Sequence, residues 1–128
     1  MRILVVDDDE SVRGLVRDVL ELEGHEVDVA ADGFAALRRL AACRPDAVVL
    51  DVMMPGMDGY AVLSRIRSSE VDGDLPVIML TAAADDNHAW QAWSGGVDYF
   101  LAKPFEPTEL LTFLDGLDVD ASTSSVAG

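Results

Sequence analysis

The sequence predicts an α/β domain on a parallel sheet. Three observations carry this. Short apolar runs alternate with stretches of helical spacing; the runs at 3–6, 47–50 and 76–80 are apolar through and through, as strands buried on both faces require; and turn residues separate the units. The chain has 128 residues, half of them hydrophobic, enough for one domain with a real core.

Ile3 to Val6 reads as the first strand, ending in the acidic run Asp7-Asp8-Asp9-Glu10. The first helix follows, with an apolar stripe at Val12, Leu15, Val16, Val19, Leu20 and Leu22, and Gly24 stops it. Glu26 to Ala30 alternates polar and apolar, so this second strand belongs nearer an edge. Asp32-Gly33 leads into a second helix through Ala35, Leu37, Leu40 and Ala41, closed by Pro45. Ala47 to Leu50 is a third strand that ends on Asp51, and the Pro55-Gly56 turn comes directly after. The third helix follows Asp58-Gly59 and turns Val62, Leu63 and Ile66 inward. Pro76 to Thr81 is the fourth strand, and Asp85 to Ser94 a short, weak fourth helix broken by Gly95-Gly96. Asp98 to Ala102 is the fifth strand, ending at Lys103-Pro104, and Pro107-Thr108-Glu109 opens a fifth helix through Leu110, Leu111, Leu114 and Leu117. The domain occupies 1–117, and 118–128 reads as a disordered tail or the start of a linker.

Composition excludes several classes. A formal net charge of −15 argues against direct binding to nucleic acid or an anionic membrane. Cys43 is the single cysteine, so no disulfide framework exists within the chain; a buried or half-buried helix end is its expected place. No apolar run reaches membrane-spanning length and the N-terminus lacks a signal-peptide layout, so the expected location is cytoplasmic. His25 and His88 are expected at solvent-exposed positions.

Ligands of such sheets bind beyond the C-terminal ends of the strands. Asp7, Asp8, Asp51, Thr81 and Lys103 all fall at that edge. Asp51 alone could simply cap a strand, since Asp is common at turns. Converging carboxylates repel one another, and a hard divalent cation with room for water ligands, such as Mg2+, relieves this. A phosphoryl group would be drawn there, with Asp as nucleophile and the Thr hydroxyl and Lys ammonium as donors. Lys103 is the single lysine among nine basic residues.

The blocks Ile3-Leu4-Val5-Val6-Asp7-Asp8-Asp9, Leu50 to Gly59, Met79-Leu80-Thr81-Ala82 and Lys103-Pro104-Phe105 resemble, in order and spacing, the receiver domain of two-component response regulators. The resemblance runs from Arg2 to about Leu117. It implies a doubly wound, flavodoxin-like three-layer sandwich of strand order 2-1-3-4-5. It implies Asp51 as phosphoacceptor, fed by a sensor histidine kinase or phosphotransfer protein. It assigns Asp7, Asp8, Asp51 and the Met53 backbone carbonyl to Mg2+. Thr81 and Lys103 hold the phosphoryl oxygens, Thr81 and Phe100 form the switch, and Lys103-Pro104 is a cis peptide. The chain would be a signalling phosphoacceptor that promotes its own phosphorylation and dephosphorylation, not an enzyme acting on other substrates.

Three features depart from the pattern or extend it. Met53 and Ala83 cannot orient a water near the phosphoryl group, which points to slow dephosphorylation. The last helix lacks the late arginines of DNA-binding members, and Tyr99 stands where these carry Asp, which argues against their dimer type; another homodimer formed on phosphorylation stays open. Trp90, Tyr99 and Phe113 form a candidate partner surface on the fourth helix, fifth strand and fifth helix. The competing readings are a degenerate receiver acting as a phosphorylation-independent interaction module, an independent phosphohydrolase and a flavin carrier. An intact set of Asp8, Asp51, Thr81 and Lys103 opposes the first. The hydrolase lacks a second acid two residues after Asp51, and the acidic first loop repels a flavin phosphate.

Overall fold

Five short strands form one parallel sheet: β1 (Arg2–Val6), β2 (Glu26–Ala30), β3 (Ala47–Asp51), β4 (Val77–Thr81) and β5 (Tyr99–Ala102). The computed structural model describes residues 1–69, 73–81, 96–103 and 105–116. Strand order is β2-β1-β3-β4-β5, with every neighbouring pair parallel. The three most apolar strands take the interior positions because only they tolerate burial on both faces. Strand β2, with its alternating pattern, takes an edge and stays half-exposed.

Helices α1 (Glu10–Leu22), α2 (Gly33–Ala42) and α3 (Gly59–Ser68) each start at an aspartate whose carboxylate caps the first turn: Asp9, Asp32 and Asp58. A further helix covers 107–116. The expected helix at 85–94, with Trp90 and His88, and the segment 118–128 lie outside the described residues.

The period of two along the strands divides the core into two layers. Leu4, Val6, Val48, Leu50, Val77 and Met79 pack on one face against Ala36, Leu40, Val62, Leu63 and Ile66 of α2 and α3. Ile3, Val5, Val49, Ile78, Leu80 and Leu101 pack on the other against Val16 and Leu20 of α1 and Leu110 and Leu114 of the last helix. Each fully buried aliphatic side chain contributes about 2 kcal/mol of transfer free energy.

Four local expectations are corrected. Leu15 and Leu22, read as part of the inward stripe of α1, are 56% and 86% exposed. A helix against a flat sheet buries a narrower stripe than the sequence offered, here centred on Val16 and Leu20. Cys43 is exposed, because it caps the C-terminus of α2 in extended conformation and swings out of the helix line. Ala41, read as part of the inward stripe of α2, is likewise exposed. His25 is half-buried, its Nδ1 3.2 Å from the Met1 amine.

Candidate functional site

Three consecutive aspartates leave β1 and do three different things. Asp7 is fully buried; its Oδ1 accepts the Asp9 backbone N–H at 2.9 Å, and its carbonyl accepts Arg13 at 2.7 Å. Asp8 is exposed, yet its carboxylate still faces those of Asp7 and Asp51. Asp9 turns away to cap α1, accepting the Ser11 N–H at 2.8 Å. Asp51 ends β3 and is only 3% exposed. One carboxylate oxygen from each of Asp7, Asp8 and Asp51 lies within 4.8 Å of the others.

Parallel pairing brings the opposite charge to the same edge. Thr81 closes β4 and is buried; its carbonyl accepts the Lys103 backbone N–H. Lys103, just past β5, donates from Nζ to Asp7 Oδ2 at 2.8 Å and to Asp51 Oδ1 at 3.3 Å. One ammonium therefore bridges two of the three carboxylates, across 96 and 52 residues of sequence.

That single cation leaves the site short of positive charge. Burial, then the charge of Asp7, pushes the Asp51 carboxyl up to about 6, against the opposing pull of Lys103. Burial works against the charged form of Lys103. The hydrogen bond to Asp7 and the charges of Asp51 and Asp7 outweigh it, and its pKa ends above the ordinary lysine value. Lys103 is thus firmly cationic, while Asp51 is a carboxylate whose charge is poorly compensated. Oxygen donors on buried and exposed sides of one cleft, with unmet negative charge, fit a hard divalent ion.

Other expected residues fall into place unevenly. Met53, two residues past Asp51, has an exposed side chain. Phe100 is half-buried against the α2–α3 side of the core, beside Met79 of β4. Tyr99 and Phe113 stack with ring centroids 4.4 Å apart and planes at 19°, and Tyr99 remains 38% exposed. Two of the three candidate partner-surface aromatics therefore meet. Trp90, Ala83 and Pro104, and with it the Lys103-Pro104 peptide, lie outside the described residues.

Two contributors escaped the sequence reading. A Cβ on Gly59 would strike the Asp51 carbonyl and come within 2.9 Å of the Val52 Cα, so this first residue of α3 must be glycine for the helix to seat beside the strand end. Arg13 fixes the Asp7 backbone from one turn into α1. Asp58-Gly59 had signalled only a helix start; nothing local tells a capping glycine from one pressed against a site.

A five-stranded 2-1-3-4-5 sheet with three carboxylates, a buried Thr and a Lys at its C-terminal edge defines a class, and the chain belongs to it. It is a member of the response regulator receiver domain family, matching over residues 3–115. It is 45% identical over 117 residues to response regulator MprA of Mycobacterium avium, covering 91% of this chain and 50% of that protein. The chain thus spans about half the length of the curated relatives it matches. Among solved structures it is similar to the Vibrio cholerae chemotaxis protein CheY4, at TM-score 0.86 and 34% identity, covering 91% of this chain and 97% of that one. The signal receiver domain of a histidine kinase from Syntrophus aciditrophicus gives TM-score 0.85 and 31% identity, covering 91% and 88%. The chain is a signalling module of the two-component type, and no helix among its described residues is long and apolar enough to cross a membrane.

Proposed function

We propose that this chain accepts a phosphoryl group on Asp51 from a phosphohistidine of a sensor kinase or phosphotransfer protein. A carboxylate oxygen of Asp51 forms the new O–P bond as the N–P bond breaks, and the departing imidazole nitrogen keeps the electron pair. The observation that carries the reading is the Lys103 ammonium held between Asp7 and Asp51. It sits where charge builds on the transferring group and costs no reorganisation at that moment. The Lys103 ammonium and the Thr81 hydroxyl take two phosphoryl oxygens.

Asp7, Asp8, Asp51 and the Met53 backbone carbonyl would hold Mg2+. When bound, the ion would supply the positive charge the carboxylates lack and neutralise the incoming phosphoryl. Movement of Thr81 toward the phosphoryl lets Phe100 turn inward. That changes the face made by the segment after β4, β5 and the last helix, where Tyr99 and Phe113 stack, with Trp90 as its third aromatic. The domain occupies 1–117 and acts in the cytoplasm. Its strongly acidic surface suits protein partners rather than nucleic acid. Its downstream target is a protein or an attached output domain, and Met53 with Ala83 makes the phosphoryl long-lived.

Incubation with Mg2+ and acetyl phosphate, followed by intact mass, tests this. One added phosphoryl that requires Mg2+ and is lost in Asp51→Asn is the expected result. No adduct would favour a phosphorylation-independent interaction module. Turnover of unrelated phosphomonoesters would favour a hydrolase.

A further inference from the structure

Arg67 lies in the last turn of α3, at the end of the sheet opposite the phosphoryl site, and no step proposed above uses it. Its guanidinium makes four hydrogen bonds to two separate segments, 73–75 and 96–98. Nε donates to the Gly96 carbonyl at 2.8 Å. One terminal nitrogen reaches the Gly73 carbonyl at 3.2 Å and the Leu75 carbonyl at 2.6 Å. The other meets Asp98 Oδ2 at 2.9 Å, and the same oxygen accepts the Val77 N–H that opens β4 at 2.7 Å. Only a planar fork can serve so many acceptors at once.

The strands gripped this way differ in how much else holds them. Strand β4 lies between β3 and β5, and the Val48 N–H bonds the Pro76 carbonyl just before it. Strand β5 has four residues, lies at an edge and pairs with β4 alone. Its start is fixed by the Asp98 N–H to the Val77 carbonyl and by the Arg67 contacts to Gly96 and Asp98. Gly96 has φ +88°, and a Cβ there would come within 3.2 Å of Arg67 Nε, so the turn is shaped to receive the guanidinium. The far end of β5 carries Lys103.

Helix α3 thus meets the site at its first residue and the strand that carries Lys103 at its last turn. Its first residue, Gly59, presses on the Asp51 carbonyl. Its last turn holds the strand that delivers Lys103. We propose that Arg67 is a positioning residue for the phosphoryl site: it fixes β5 against β4 so that the Lys103 ammonium stands between Asp7 and Asp51, some five residues and about 15 Å away. The proposal rests on the phosphoacceptor reading. It deepens that reading by making α3 the strut that sets the nucleophile-to-cation distance. Hydrogen bonds weaken steeply with distance, so even a small slide of β5 removes the 3.3 Å contact to Asp51.

The test compares the wild-type chain with Arg67→Ala and Arg67→Lys, the second keeping the charge but not the fork. Hydrogen exchange should speed up at amides 99–103 while 3–6 and 47–51 keep their protection. Mg2+ affinity, measured by calorimetry, should not fall, because its carboxylates follow β1 and end β3 and a displaced Lys103 only removes a competing cation. Modification of Asp51 by acetyl phosphate should slow by about tenfold or more, the order produced when a reacting group is misplaced by a fraction of an ångström. Wild-type rates with unchanged β5 protection would overturn the proposal, as would a uniform loss of protection in every strand. Should Arg67→Ala fail to fold, Arg67→Lys and Asp98→Asn address the same bonds. Should the wild-type chain take no phosphoryl group, the phosphoacceptor reading fails, and exchange at 99–103 still decides whether Arg67 fixes the strand.

Discussion

The two ends of the sheet handle charge in opposite ways. At the N-terminal end, Arg67 is surrounded by carbonyls and one carboxylate, and every contact is favourable. At the C-terminal end, Asp7 and Asp51 are buried close to Asp8 with only Lys103 between them. The first arrangement stabilises the fold. The second costs stability, since burial and Asp7 hold the Asp51 carboxyl up to about 6. The scaffold can carry that cost because its two core layers bury many aliphatic side chains. Under the proposed function, unbalanced charge held in place is what would let a cation and a phosphoryl group bind.

The contrast breaks most completely at Asp51. Replacing it with Asn should abolish phosphoryl uptake, read by intact mass. It should also stabilise the metal-free protein. Asp51 titrates near 6 when folded and near 3.8 when unfolded. The folded state therefore binds the proton more tightly, and stability falls as pH rises from about 4 to 6, then levels off. Asp51→Asn removes this loss. Its gain should be largest above pH 6, up to about 3 kcal/mol for a shift of about two units, and should vanish near pH 4. Urea melts across pH 4–8 check it, and a gain independent of pH would refute the charge explanation.

Gly59 tests whether the site edge depends on close packing as well as charge. Gly59→Ala should cost about 3 kcal/mol, since backbone of Asp51 and Val52 must give way. Thermal melts would show it. Asp9 sharpens the comparison by separating neighbours of like charge: Asp9→Ala should lose about 1 kcal/mol of capping energy and leave Mg2+ affinity nearly unchanged. At the small end, Arg17→Ala removes an exposed pair with Glu21 and should shift stability by no more than about 0.5 kcal/mol. A larger effect in a chemical melt would mean that surface charge matters more here than the buried cleft suggests.

Much of this was legible in advance because the signals are local. An apolar run that ends on Asp51 or Thr81 reports both a buried strand and a polar group at its end. Asp32 and Asp58 announce their helices by residue type. The departures have one cause: sequence periodicity states what could be buried, and neighbours decide what is. Leu15 and Leu22 fit the stripe of α1 but meet solvent, and Cys43 leaves the helix line at its cap. The grip of Arg67 on Gly73, Leu75, Gly96 and Asp98 has no sequence signature, since an arginine on a helix reads as solvated.

The sequence by itself determined the alternation of strands and helices, the placing of the most apolar strands at the centre, and the residues sent to one edge. These follow from side-chain polarity and from chain order. Only the tertiary structure decided that Lys103 bridges Asp7 and Asp51, that Gly59 must lack a side chain, and that Arg67 holds the strand bearing the cation. Each is a contact between segments far apart in the chain, set by how the helices seat on the sheet.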